Sequence, residues 1–118
     1  MLYDQRQILI QGTPHQEFYD HHRAKLSSPD YQMLIEEIHR LMSERDVFAA
    51  RDISDQHLSG TVFDPVCQAC GGDEKEAGFF FGLLVQDAVQ QHQDPWYLLR
   101  EERDYYRLIV LVYCRKLN

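Results

Sequence analysis

The sequence predicts an all-α fold, a compact bundle of about five helices in which residues 1–118 form a single domain. Two observations carry that expectation. Each of the four prolines follows a good helix cap: Thr13-Pro14, Ser28-Pro29, Asp64-Pro65 and Asp94-Pro95. The side-chain oxygen of Thr, Ser or Asp accepts from a free first-turn amide, and proline next to it gives up an N–H that had no partner there. Apolar residues beyond these points then recur at three- and four-residue spacing, the interval that lines one face of a helix. A chain of 118 residues with 44% hydrophobic side chains has material for one core.

The first helix is expected to begin at Thr13, with Gln16 three residues on as in a capping box. It carries His15, His21 and His22 without a carboxylate pattern of the H-E-x-x-H kind, so these read as surface or half-buried side chains. The second follows Pro29 and aligns Tyr31, Leu34, Ile35, Ile38, Leu41, Met42 and Phe48. The third starts at Asp64 and holds Cys67 and Cys70. The fourth follows Gly72 and aligns Ala77, Phe80, Phe81, Leu84 and Ala88. Residues 50–64 and 71–74 read as connections.

The fifth helix is expected after Pro95. Trp96, Leu99, Tyr106, Val110, Tyr113 and Leu117 form one stripe, and Leu98, Tyr105, Ile109 and Val112 form a second. A helix apolar on every side is central to the core or buried against another chain. The competing reading is a strand at 107–114, paired with 7–11 in a two-stranded ribbon. Arg45 and Arg103 interrupt apolar stripes, which makes each a candidate for a buried or interfacial ion pair.

The net charge of −7 is uneven. Residues 52–94 contain eight acids and a single base, Lys75, while the remainder balances at eleven of each sign. Nonspecific nucleic-acid binding needs Lys and Arg against phosphates, and this segment repels them. A protein partner with a basic surface suits it, with Asp73, Glu74 and Glu76 as its candidate docking residues. No apolar run approaches the ~20 residues of a membrane span. The start, MLYDQRQ, lacks the layout of a signal peptide. An odd cysteine count of three argues against a disulfide framework. The expected setting is intracellular, in the cytoplasm.

The stretch Asp64-Pro65-Val66-Cys67-Gln68-Ala69-Cys70-Gly71-Gly72 is the one that looks like chemistry. Three readings stand side by side: two inert buried thiols, half of a metal site, or a redox pair. Zinc takes four tetrahedral ligands from Cys and His, so the pair would need completing, with His57 and Cys114 as the candidates and His92 or His39 in reserve. A thiolate couple would draw on the amide dipoles of a helix start, against the field of the nearby acids. No P-loop, dinucleotide fingerprint or nucleophile elbow is present, and nothing joins a base, a nucleophile and an oxyanion site.

The functional expectation is therefore non-enzymatic. It is a small acidic protein-binding module that acts through its acidic middle and an apolar C-terminal helix. Tyr106, Val110 and Tyr113 mark the helix face for a partner or for a second copy in a homodimer. The alternative is a zinc-binding or thiol-redox protein centred on Cys67 and Cys70.

Overall fold

The computed structural model describes residues 1–54, 58, 60–103 and 108–116, with the backbone alone for residues 102, 103, 108 and 109. The fold is mixed α/β, which corrects the expected all-α bundle. The order is β1 (Leu2–Tyr3), α1 (Gln16–Arg23), α2 (Ser28–Met42), β2 (Val47–Ala49), α3 (Ala50–Ser54), α4 (Asp64–Ala69), α5 (Glu74–Gln91), β3 (Trp96–Arg103) and β4 (Leu108–Arg115). The strands form one sheet in the order β1-β3-β4-β2. β1 runs parallel to β3, whereas β3 with β4 and β4 with β2 are antiparallel.

Three of the proline signals mark helices. Ser27, one residue before the expected cap, accepts from the Asp30 amide at 3.1 Å and opens α2. Pro65 sits in the first turn of α4. At α1 the reciprocal half of a capping box forms, with the Gln16 Oε1 accepting from the Thr13 amide at 3.0 Å.

The fourth signal fails. Asp94-Pro95 leads into β3, because the Asp94 carboxylate accepts from Arg115 Nη1 at 2.8 Å across the sheet and caps no helix. The residue before proline also prefers extended backbone, so the same dipeptide suits a strand entry.

The expected fifth helix is thus a pair of strands. Both faces of β3 and β4 carry apolar residues, which erases the period-two alternation that marks a half-exposed strand. A run of that kind fits a helical template equally well. The strand reading of 107–114 is right about β4 and wrong about its partner. Residues 7–11 fold back on β1, with the Ile10 amide donating to the Leu2 carbonyl at 2.8 Å and Leu9 bridged to Tyr3. Phe48, expected at the end of the second helix, lies in β2, and residues 50–54, expected as a connection, form α3.

Pairing places Leu2, Phe48, Trp96, Leu98 and Tyr113 on one sheet face. These residues join the helices in a single core. Phe48 packs edge-on to Trp96 and stacks on Tyr113, both at 5.2 Å between ring centres. Arg115 stacks on Trp96 at 4.7 Å and donates to the Met42 and Arg45 carbonyls, which fastens the end of α2 to the sheet.

α5 lies at the centre. It packs against α1, α2, α3 and α4 and buries Ala77, Phe80, Phe81, Leu83, Leu84, Val85, Gln86, Ala88 and Val89. Its one acidic hub is Asp87. A single carboxylate oxygen accepts from both the Tyr19 and Tyr31 hydroxyls, while the other accepts from Gln91 at 2.9 Å. That joins α1, α2 and α5 through one side chain.

Burial, followed by the hydrogen bond to Asp87, pushes the Tyr19 and Tyr31 phenols above their ordinary value of 10.0. Burial alone does the same to Tyr113. The neutral phenol is the form the fold holds. Its contribution is full below the unfolded value and is lost as the pH rises above it, where the unfolded chain ionises first. Stability measured by urea unfolding should be insensitive to these groups up to about pH 10 and fall beyond it, with the phenolate absorbance of these three tyrosines appearing only as the protein unfolds. Asp87→Ala should cost about 2–3 kcal/mol, since it leaves two hydroxyls without their acceptor.

Candidate functional site

The glycines after the cysteine pair have a structural cause. α4 ends in a Schellman cap: the Gly72 amide donates to the Cys67 carbonyl at 2.9 Å, and the Gly71 amide to the Gln68 carbonyl at 3.1 Å. Gly71 has φ 65° and Gly72 has φ 84°, conformations that glycine adopts without strain. Cys70 is the C-cap residue, so it faces the negative end of the helix and not the positive end a thiolate needs.

Both sulfurs belong to the core, with Cys67 8% exposed and Cys70 5%. Burial pushes the Cys70 thiol up to about 11, with Glu76 adding to the shift. Cys67 is raised by burial and then by Asp64 and Glu74. Thiolate chemistry is disfavoured at both positions.

The metal reading is corrected as well. Among the described residues, no group of three or more His, Cys, Asp or Glu is placed to hold a metal ion. Cys67 and Cys70 sit in the helical layer. Cys114 pairs with Tyr97 and Val47 on the sheet face turned away from it. His57 lies outside the described residues.

The remaining histidines are engaged elsewhere. His22 is buried, with Nδ1 at 3.0 Å from the Phe18 carbonyl and Nε2 at 3.0 Å from Glu76. His39 Nε2 lies 2.7 Å from the Ala88 carbonyl, and His92 Nδ1 accepts from the Asp94 amide at 3.1 Å. Burial, then the neighbouring His39, holds His92 below its ordinary value.

The acids of the middle segment have local partners. Asp52 accepts from the Ala49 amide at 2.8 Å, and Asp64 accepts from the Gly60 amide at 2.9 Å and from Gln68. Asp73 caps α5 by accepting from the Glu76 amide at 3.0 Å. Glu74 and Glu76 stand in the first turn of α5, where the helix dipole favours negative charge. The acidity of this segment is thus tied to helix starts. Arg45 makes no ion pair among the described residues, and its Nε is enclosed without a partner. The Arg103 side chain lies outside them.

The sequence expectation of a partner face on the C-terminal element divides three ways. Tyr113 is buried on the core side of the sheet and presents no surface to a protein partner. Tyr106 lies outside the described residues. Val110 pairs with Glu101 on the outer face of the sheet. That face also carries Tyr3, Val47, Tyr97, Leu99, Val112 and Cys114 by register. None of these residues belongs to the core formed with the helices. Val47 is 55% exposed, Tyr3, Tyr97, Leu99 and Val110 are half-buried, and Ala49 and Val112 are buried. The Lys116 ammonium lies over the Tyr3 and Tyr97 rings at 5.1 and 5.5 Å.

Comparison with protein families, with curated proteins and with solved structures finds no match for this chain. Among the described residues, no helix is long and apolar enough to cross a membrane.

Two outcomes follow from this geometry. Cys67 and Cys70 should resist iodoacetamide at neutral pH in the folded protein and react at the rate of free thiols after urea unfolding, as followed by mass spectrometry. Asp73→Ala should lower stability by about 1 kcal/mol through loss of the α5 cap, read as a shift of the urea midpoint.

Proposed function

We propose that this protein is a binding module that docks another protein chain on the outer face of its sheet, and that the chain it takes is a second copy of itself. The observation behind the proposal is the partly exposed apolar character of that face, with Val47 exposed and Tyr97, Leu99 and Val110 half-buried around the buried Val112. Aromatic and aliphatic side chains flanked by a few charges are what protein interfaces concentrate at their centres.

Two further features support face-to-face docking. The outermost strands, β1 and β2, are only two and three residues long, so edge-to-edge strand addition has little to template it. Residues 96–116 hold five basic and three acidic residues, whereas the acidic segment 52–94 contributes the helices α4 and α5 of the opposite layer. Two sheet faces can therefore meet without bringing the acidic regions together, and like-charge juxtaposition is what most strongly rejects a partner.

Sedimentation velocity over a range of protein concentrations tests this. The wild type should pass from monomer to dimer. The double substitution Val47→Glu with Leu99→Glu should weaken self-association by at least about a hundredfold, because it places like charges across the contact. Thermal melting of the variant checks that the fold survives. A wild type that stays monomeric at the highest concentration reached overturns the proposal.

A further inference from the structure

α5 carries Gly78, Gly82 and Gln86 at four-residue intervals, one above the other on a single face. Glycine is a poor choice inside a helix, and neither backbone nor packing calls for it here. Among the glycines, positive φ is confined to Gly12, Gly60, Gly71 and Gly72. A Cβ built at Gly78 or Gly82 meets nothing within 4 Å. What the two glycines leave is space. A cavity of about 390 Å³ lies between this face of α5, the β2–α3 junction and β4, open on one side.

The cavity contains polar groups without partners. Gln86 is 3% exposed and Tyr113 is 2% exposed, and both line it. Neither side chain makes a hydrogen bond among the described residues, and neither is counted with the polar atoms sealed from solvent, of which Arg45 Nε is the example. Their polar ends therefore remain open, and the space that both line is this cavity. A buried amide and hydroxyl in an otherwise apolar wall are the arrangement of a ligand pocket, where a few polar groups fix orientation. Arg51, exposed at the rim, has no ion pair among the described residues.

We propose that this cavity binds a small organic carboxylate with an apolar body and a polar far end. The body packs on Phe79, Leu83 and Leu111, the carboxylate meets Arg51 at the mouth, and the far hydroxyl or carbonyl reaches Gln86 and Tyr113. An arginine fork suits a carboxylate at a wet rim, and the deep amide supplies both a donor and an acceptor. Its polar end lies on the core side of the sheet, while Ala49 and Val110, outer-face residues by register, form part of its edge.

The test is a titration of the full chain with 3-(4-hydroxyphenyl)propanoate and with 3-phenylpropanoate, followed by amide chemical shifts. The hydroxylated probe should bind saturably below about 10 mM, with shifts centred on residues 78–86. Gly82→Leu fills the cavity and should abolish binding. Gly82→Ala, which favours helix, should melt no lower than the wild type and weaken binding at least about tenfold. Gln86→Leu should erase the preference for the hydroxylated probe, and Arg51→Gln should erase the preference for the carboxylate over its primary amide.

Absence of saturable binding by either probe overturns the proposal. So does binding that Gly82→Leu leaves unchanged, or shifts that centre on Tyr3, Tyr97 and Leu99 and spare residues 78–86. Loss of self-association in Gly82→Leu without any probe binding would make the cavity a socket for a partner's side chain, and would equally overturn it.

Discussion

The structure depends on covering α5 from nearly every side. Phe80, Phe81, Leu83, Leu84, Val85 and Val89 each contribute about 1.5–3 kcal/mol when fully withdrawn from water, but only if something encloses them. Four helices cannot close around an 18-residue helix alone. The sheet supplies the remaining wall with Leu2, Phe48, Trp96 and Tyr113. The strands and the short helices are thus parts of one enclosure around α5. The single carboxylate at Asp87 is tolerated there because tyrosines from α1 and α2 and Gln91 occupy its oxygens. A half-buried charge without such partners would lose hydration that nothing replaces.

The cysteine pair is a consequence of the same enclosure. α4 is a six-residue helix that must stop sharply so that the chain can turn into α5. Its last turn points the sulfurs inward, and Gly71 and Gly72 make the reversal. What reads as a chemical motif is a helix ending beside a core. The acidic residues behave similarly. Asp52, Asp64 and Asp73 each satisfy backbone amides at the start of a helix or turn. Glu76 meets the buried His22 at 3.0 Å. The charge imbalance is in good part the by-product of several helix starts lying close together in sequence.

Two regions fall outside that economy. The outer sheet face has apolar residues that contribute nothing to the α5 enclosure. The groove of Gly78 and Gly82 leaves the enclosure incomplete at one side, although each glycine costs about 1 kcal/mol relative to alanine in a helix interior. Features that work against the fold's own stability are where function is most reasonably sought. One spreads over the outer face of the sheet and the other runs along α5, and they meet at Val110 of β4. The sequence signals for them were present but quiet: Val47 opening a three-residue strand, and the i, i+4 spacing of two glycines and a glutamine on an otherwise apolar helix.

Local chemistry determined what could be read from the chain itself. Helix starts close to Thr13, Ser28 and Asp64 (with His15, Ser27 and Phe63 as the actual cap positions), the apolar faces of α2 and α5, and the turn after Cys70 all follow from contacts within a few residues, so they are legible in sequence. The Asp94-Pro95 signal was not, because the partner of Asp94 is Arg115, twenty-one residues away. Strand pairing is nonlocal in the same sense. Leu-Ile-Val-Leu-Val-Tyr is compatible with a central helix or a doubly apolar strand, and only the registry of Trp96 with Arg115 and of Phe48 with Tyr113 decides between them. The thiols, the acids and Gln86 depended on the same distinction. Residue type defines what each side chain can do, and its burial and partners, set by segments far along the chain, decide what it does.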